Sequence, residues 1–317
     1  MKLGCSTRIL IITGIFVLVL VIAGFIAGPI GSRLFNIEVP EKLTVSEPHV
    51  ILPSEGIVHL SFFTITNTLI ASWLTIIVLV VFFYFCTRKM SVHNPGRLQL
   101  LAELVVESLL NFIKGAAGDK NARVLFPMVA TIFLYVMFNA YLALLPVFGT
   151  IGIKEDPHTI IPYLRAANTD INVPLSIAIV AVIFVEYIGI RKLGTFPYVN
   201  TFFNVGQLKD GIKSLFKGKF VPALSGIGLG LINMFVGCLE VLSHFIRIIS
   251  FTFRLFGNMT AGEILILIVT FLLPLIATTL VYGLELLIGF IQALIFAGLT
   301  LVFGTIALTP HSEESHN

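Results

Sequence analysis

A permanent cation, an amide and a carboxylate interrupt an apolar run at Phe253-Arg254-Leu255-Phe256-Gly257-Asn258-Met259-Thr260-Ala261-Gly262-Glu263. An arginine at the centre of a bilayer helix costs about 2.5–3.5 kcal/mol on insertion scales, so an ionisable residue there marks an ion pathway or a buried pair. Glu240, Arg247 and Arg254 recur every seven residues and share one helical face, with Ser243, His244, Ser250 and Phe251 close to it. Lipid cannot satisfy those groups, so the stripe must be wet or partnered. Asn258 follows Arg254 by one turn, whereas Glu263, nine residues on, faces the opposite wall. Nearer the C-terminus, Glu285 and Gln292 are seven apart with Gly289 between them. If the two helices pack antiparallel about Pro274, Glu263 and Glu285 lie eleven residues to either side and stand at similar height. Two facing carboxylates and two amides would form a hydrated route for protons. The same groups would equally serve as structural ion pairs that fix helix packing, and their spacing leaves both roles open.

The elements that must position these residues follow from composition. Hydrophobic residues make up 57% of the chain, charged residues 12%, and the mean hydropathy is +1.00, against about 25% charged residues in soluble domains. The chain is therefore expected to be an all-α polytopic membrane protein. Runs long enough to span occur at Ile9–Ile30, Phe62–Cys86, Leu125–Phe148 and Ile171–Ile190. Two longer ones, Ala223–Leu273 and Leu275–Leu308, correspond to about 75 and 50 Å of helix. Neither fits upright in a hydrocarbon layer of about 30 Å, so the first must break near Gly237 or Gly257 or the pair must form a strongly tilted hairpin, residues 221–308. Tilt exposes a long lateral face suited to a partner within the membrane. Arg97–Gly115 has an apolar stripe opposite Glu103, Glu107 and Lys114, which predicts an amphipathic helix on the interface or packed on protein.

The connecting segments carry most of the charge. With alternating spans, Arg88, Lys89, Arg97, Lys114, Lys120, Arg123, Arg191, Lys192 and the basic loop Gly194–Phe220 fall on one side, and Arg33, Lys42, Lys154 and Arg165 on the other. The positive-inside rule makes the first side, and with it the C-terminus, cytoplasmic. The expected organisation is a hydrophobic segment at residues 1–35, an external segment of little fixed structure at 36–61, and a membrane domain over 62–317. The first apolar run exceeds a signal-peptide core of 7–15 residues, which favours a retained anchor over a cleaved leader. A second external loop is expected at Val147–Thr169. Cys5, Cys86 and Cys238 form neither a disulfide framework nor a zinc pattern. Gly226-Ile227-Gly228-Leu229-Gly230 follows no strand and reads as a packing face, and the sequon at Asn258 lies within membrane.

Arg254-Leu255-Phe256-Gly257-Asn258-Met259, then Ala261-Gly262-Glu263, then Gln292-Ala293 with Phe296, resemble the a subunit of the F-type ATP synthase membrane sector. Leu144-Leu145-Pro146 closing one span and Asp170-Ile171-Asn172-Val173 opening the next extend the likeness, which runs from about Phe62 to Ala307. The segment before it departs from the family pattern.

The resemblance implies a non-catalytic, proton-translocating stator subunit without a cofactor, in a bacterial plasma membrane. Its implied partners are the c-subunit ring, the b subunits of the peripheral stalk and membrane lipid, with no nucleic acid. Arg254 matches the essential arginine facing the ring. Asn258, Glu263, Glu285 and Gln292 match an access path from outside, and Glu240, Ser243 and Ser250 match positions near the cytoplasmic exit. Many bacterial members carry histidine where this chain has Glu285, so the site here holds two acids whose titration would be coupled. Asn258 and Gln292 are the expected amide neighbours of the arginine. A proton-coupled secondary transporter is the competing reading, disfavoured because no second copy of the arginine segment exists.

Overall fold

The computed structural model describes residues 7–35, 53–60, 63–88, 90–91, 95–149, 151–156, 159–195 and 220–308. Among them are seven helices and two short hairpins: α1 (Thr7–Ala27), α2 (Pro29–Phe35), β1 (Gly56–Leu60), β2 (Phe63–Thr66), α3 (Asn67–Thr87), α4 (Arg97–Ala143), β3 (Gly152–Asp156), β4 (Thr159–Pro162), α5 (Asn172–Leu193), α6 (Phe220–Leu272) and α7 (Ile276–Leu308). Helices α3 to α7 are each long and apolar enough to cross a membrane, and the described apolar stretch of α1, Ile11–Ile26, is shorter. The chain is an all-α polytopic membrane protein.

The helix bearing Arg254 is unbroken. Its proline, Pro222, falls in the first turn, where no intrahelical N–H bond is lost. Neither Gly237 nor Gly257 interrupts it, so its 53 residues form one element of about 80 Å contour, which must incline to stay within a bilayer. The connection to α7 passes through Pro274 and Leu275, the latter at φ +75°. The amphipathic segment and the following span are two limbs of α4. They meet at Gly118, whose φ of 74° and ψ of 161° lie in a region open essentially to glycine.

The described parts of the two segments expected outside the membrane are more ordered than the sequence implied. Where the reading placed little fixed structure up to residue 61, β1 and β2 pair antiparallel with a bulge between Gly56 and Val58. The expected span at Phe62 becomes helical only at Asn67. The reason is local: the Asn67 amide N–H donates to the Glu55 carbonyl (3.1 Å), while Asn67 Oδ1 accepts from the Glu55 N–H (3.4 Å). This reciprocal clasp closes the hairpin where the helix starts. The expected loop at 147–169 likewise holds the hairpin β3–β4 and a 3-10 turn at Ala167–Thr169. The basic loop and residues 36–52 lie mostly or wholly outside the described residues.

The chain divides into two compact units, each assembled from three stretches: residues 1–75, 137–170 and 256–292, and residues 76–136, 171–255 and 293–317. They differ in what they bury. Of the fifteen buried polar side chains among the described residues, twelve belong to the first unit, including Asn67, Thr75, Asn139, Arg165, Asn168, Asp170, Glu285 and Gln292. Of the 29 buried apolar ones, 24 belong to the second, whose centre holds Ile113, Leu125, Val129, Phe251, Leu255, Phe296 and Leu301. In the first unit α1 lies close to the α6–α7 connection, because Gly24 and Gly28 sit against the carbonyl oxygens of Pro274 and Leu272. A side chain at either glycine would collide with backbone.

Candidate functional site

In the first unit a buried arginine organises the polar groups. Arg165 follows β4, on a strap held by backbone bonds from Tyr163 N–H to the Ile151 carbonyl (2.9 Å) and from Gly149 N–H to the Leu164 carbonyl (3.0 Å). Its Nε donates to both carboxylate oxygens of Glu263 (3.1 and 3.2 Å), Nη2 donates to Oε2 (3.2 Å), and Nη1 reaches the Pro53 carbonyl (3.0 Å). The Arg165 side chain is 9% exposed and that of Glu263 32%. A forked guanidinium is suited to this planar, two-pronged grip.

Glu285, buried on α7, lays its carboxyl group against the Cα of Gly262, next in sequence to Glu263. The two acids of the sequence reading thus come into one neighbourhood. A Cβ at 262 would occupy the place of the Glu285 carboxyl group, so glycine there is a condition of the arrangement. Asn258 Nδ2 donates to Gln292 Oε1 (2.9 Å), and Gly289 lets α7 approach Ala140 and Tyr141 on α4. Thr68 Oγ1 donates to Asp170 Oδ2 (2.9 Å), and Asn139 Nδ2 to Thr75 Oγ1 (3.3 Å). Several buried polar atoms of this unit have no protein partner: both side-chain polar atoms of Asn168, Asn139 Oδ1, Thr260 Oγ1, Thr278 Oγ1 and Gln292 Nε2. Such groups cost about 1–3 kcal/mol each unless water satisfies them.

The second unit treats its polar groups differently. Arg254 projects from α6 as an exposed side chain, and its Nη2 stands 3.5 Å from Ser250 Oγ, one turn back. No carboxylate among the described residues pairs with it. Flanking it on the other face, Phe251 and Leu255 are buried, with Phe251 packed on Phe296 at 4.8 Å between ring centroids. Those apolar anchors orient α6 so that the arginine points outward. Arg247 lies over the Phe303 ring, 3.3 Å from its centroid. His244 Nδ1 is 2.7 Å from Glu186 Oε1 on α5. Glu240 and Ser250 are half-buried and Ser243 is exposed along the same stripe.

Two of these residues escaped the sequence reading, and one pairing differs from it. Arg165 was assigned to an external loop; its signal was an arginine five residues before Asp170, which opens a span. Glu186 lies within the expected span Ile171–Ile190, where a lone carboxylate carries the same warning as a lone arginine. The two amides expected to neighbour Arg254 bond to each other, and its described hydrogen bond is to a hydroxyl.

Comparison with known proteins bears on what this arrangement serves. A family model described as "ATP synthase A chain" matches residues 69–305. Among curated proteins, the chain is 28% identical over 248 residues to ATP synthase subunit a of Gloeobacter violaceus, covering 78% of this chain and 86% of that one. It is 29% identical over 244 residues to ATP synthase subunit a of Campylobacter jejuni subsp. jejuni, with 77% and 89% covered. Against ATP synthase subunit a of Moorella thermoacetica it is 26% identical over 247 residues, with 78% and 93% covered.

Proposed function

We propose that this chain, which belongs to the ATP synthase A chain family, is the stator subunit that forms two proton half-channels against the c-ring and couples proton passage to rotation. The family establishes a membrane subunit of the proton-translocating ATP synthase. The half-channels, the c-ring and b-subunit partners, the bacterial plasma membrane, the cytoplasmic C-terminus and the non-catalytic role are our reading.

One observation carries it: the first unit buries polar atoms that its own protein groups leave unsatisfied, while the second presents a permanent cation on an exposed helix flank. Unpartnered buried amides and hydroxyls in the first unit, Gln292 among them, call for water, and a file of water is what an inlet for protons needs. Glu263 and Glu285, with Asn258 and Gln292, line that inlet in our assignment. Glu240, Ser243 and Ser250 belong to the exit.

The exposed arginine separates the two paths. A protonated ring carboxylate can pass through lipid, but an ionised one must not cross directly between inlet and exit. Beside Arg254 the carboxylate is drawn into its ionised form and gives up its proton before moving on. Arginine suits the role because its pKa exceeds about 12, so desolvation leaves it charged where lysine would shift. Magnitudes limit how tight the contact can be. At 4 Å, two unit charges attract by about 4 kcal/mol at an effective dielectric of 20, whereas moving one charge through 100 mV yields about 2.3 kcal/mol. A dry pair would lock the rotor. An arginine that, among the described residues, reaches only a neighbouring hydroxyl is free to make a weak, transient contact.

The test is Arg254→Ala in the assembled complex. ATP-driven acidification of inverted vesicles is expected to be lost, while passive proton conductance of vesicles stripped of the catalytic sector persists. Retention of full coupling in that variant refutes the assignment.

A further inference from the structure

We infer that Glu186 and His244 form a proton-relay pair on the exit path of the second unit, a deeper statement of the function proposed above and resting on it. The pair is assembled from separate helices: α5 supplies the carboxylate and α6 the imidazole, with 2.7 Å between Oε1 and Nδ1. Neither group is sealed off, since the side chains are 26% and 20% exposed. The facing atoms Oε1 and Nδ1 are themselves buried, and burial of an ion pair is poor evidence of stabilisation. Partial exposure instead gives a proton an outlet.

Position on the helix strengthens the assignment. His244 follows Glu240 by one turn and precedes Arg247 by three residues, so it occupies the face that continues through Ser250 to Arg254. Arg247 is held over Phe303, with Phe251 completing an aromatic wall beside it. Among the described residues, the charged groups near His244 are Glu186 across the interface and Glu240 and Arg247 on its own helix. Helix α7 adds none, because the stretch from Ala293 to Leu308 has no ionisable side chain.

The chemistry balances without a co-reactant. With the carboxylate Oε1 only 2.7 Å from Nδ1, a ring turned into line with it would carry its neutral proton on Nδ1 and leave the Nε2 lone pair as the base. A proton arriving at Nε2 makes the imidazolium and takes the pair from a charge of −1 to 0. Loss of a proton from Nε2 to water, or from Nδ1 through the carboxylate to water, returns the pair to −1. Histidine is suited because its unperturbed pKa of about 6.5 lies close to working pH.

The experiment measures passive proton conductance and ATP-driven acidification across pH 6 to 9, a range chosen around that value, in vesicles carrying the whole complex with Glu186→Gln, His244→Gln or Glu186→Asp. The two glutamine variants are expected to assemble and to conduct about five- to tenfold more slowly, with a deficit that varies with pH because a relay group must take up and release the proton in each passage. Glu186→Asp should recover most of the rate. Parental rates and pH profile in both glutamine variants overturn the proposal, as does an equal loss at every pH, the signature of a purely structural contact. Should His244→Gln fail to assemble, the pH profile of Glu186→Gln decides alone. Arg254→Ala, run alongside, keeps the two readings apart: uncoupling there together with unaltered glutamine variants sinks the relay and leaves the half-channel reading standing.

Discussion

Each unit of this protein holds an arginine among its functional polar groups, and the two are treated in opposite ways. Arg165 is buried and makes three hydrogen bonds to one carboxylate and a fourth to a carbonyl. Arg254 is exposed and stands within reach of a single hydroxyl. A guanidinium gripped by a carboxylate of its own chain is part of the architecture. One left on the surface of a membrane helix requires a partner that the described residues do not supply. The same contrast runs through the surroundings, since the unit with the satisfied arginine buries mainly polar groups and the unit with the open one buries mainly apolar groups.

The comparison breaks most sharply under alanine substitution. Arg165→Ala strands Glu263 without its cation and is expected to destabilise the subunit by about 3–5 kcal/mol, the usual result of removing one member of a buried pair. Arg254→Ala removes an exposed side chain and should change stability by no more than about 0.5 kcal/mol while abolishing coupling. Denaturant unfolding of the purified subunit in detergent, beside ATP-driven pumping in vesicles, reads both effects. Equal stability losses in the two variants would erase the distinction. Replacing Arg165 and Glu263 together with methionine should recover stability to within about 1 kcal/mol of the parent, because no lone charge remains.

The acids of the inlet sharpen the contrast further. Glu263→Gln disturbs a pair and a path, whereas Glu285→Gln disturbs only the path, so the first should also lower stability and the second should not. In passive conductance, each alone is expected to slow passage modestly and the double variant by at least about tenfold, since a relay tolerates one substitute better than none. Parental conductance in the double variant would put the inlet elsewhere. Gly262→Ala probes the same point by sterics alone. Its Cβ takes the place of the Glu285 carboxyl group, so conductance should fall by about three- to tenfold with the fold intact. Gly228→Ala, whose Cβ would meet nothing within 4 Å, is the control expected to conduct normally.

How much of this was legible in the chain depends on range. The helices were legible because apolar run length is local, and α6 stays unbroken because it has no proline beyond its first turn. The stripe from Glu240 to Arg254 was legible because a helix converts spacing into direction. The two hairpins were not, since β1 is fixed by the clasp between Glu55 and Asn67 rather than by any strong alternation of its own. Pairings across the fold were least legible. Nothing near Arg165 in sequence names Glu263, 98 residues away, and nothing near His244 names Glu186. Glycine was similarly ambiguous: Gly257 looked like a break in α6 and is accommodated there, while Gly262 proves to be the one a neighbour depends on.

The smallest effect concerns the turn that makes the hairpin. Leu275 holds φ at +75°, where a β-carbon costs an L-residue about 1–2 kcal/mol relative to the right-handed region. Glycine at 275 would carry no such penalty but would gain freedom in the unfolded chain, and the two contributions partly cancel. Leu275→Gly is therefore expected to stabilise the subunit by no more than about 1 kcal/mol, and Leu275→Val, branched at the carbon in conflict, to destabilise it by a similar amount. Because the turn touches neither arginine, both variants should conduct and pump at the parental rate. A change in coupling from either would show that the geometry of the turn, and not only the residues along the helices, sets the behaviour of the exposed cation.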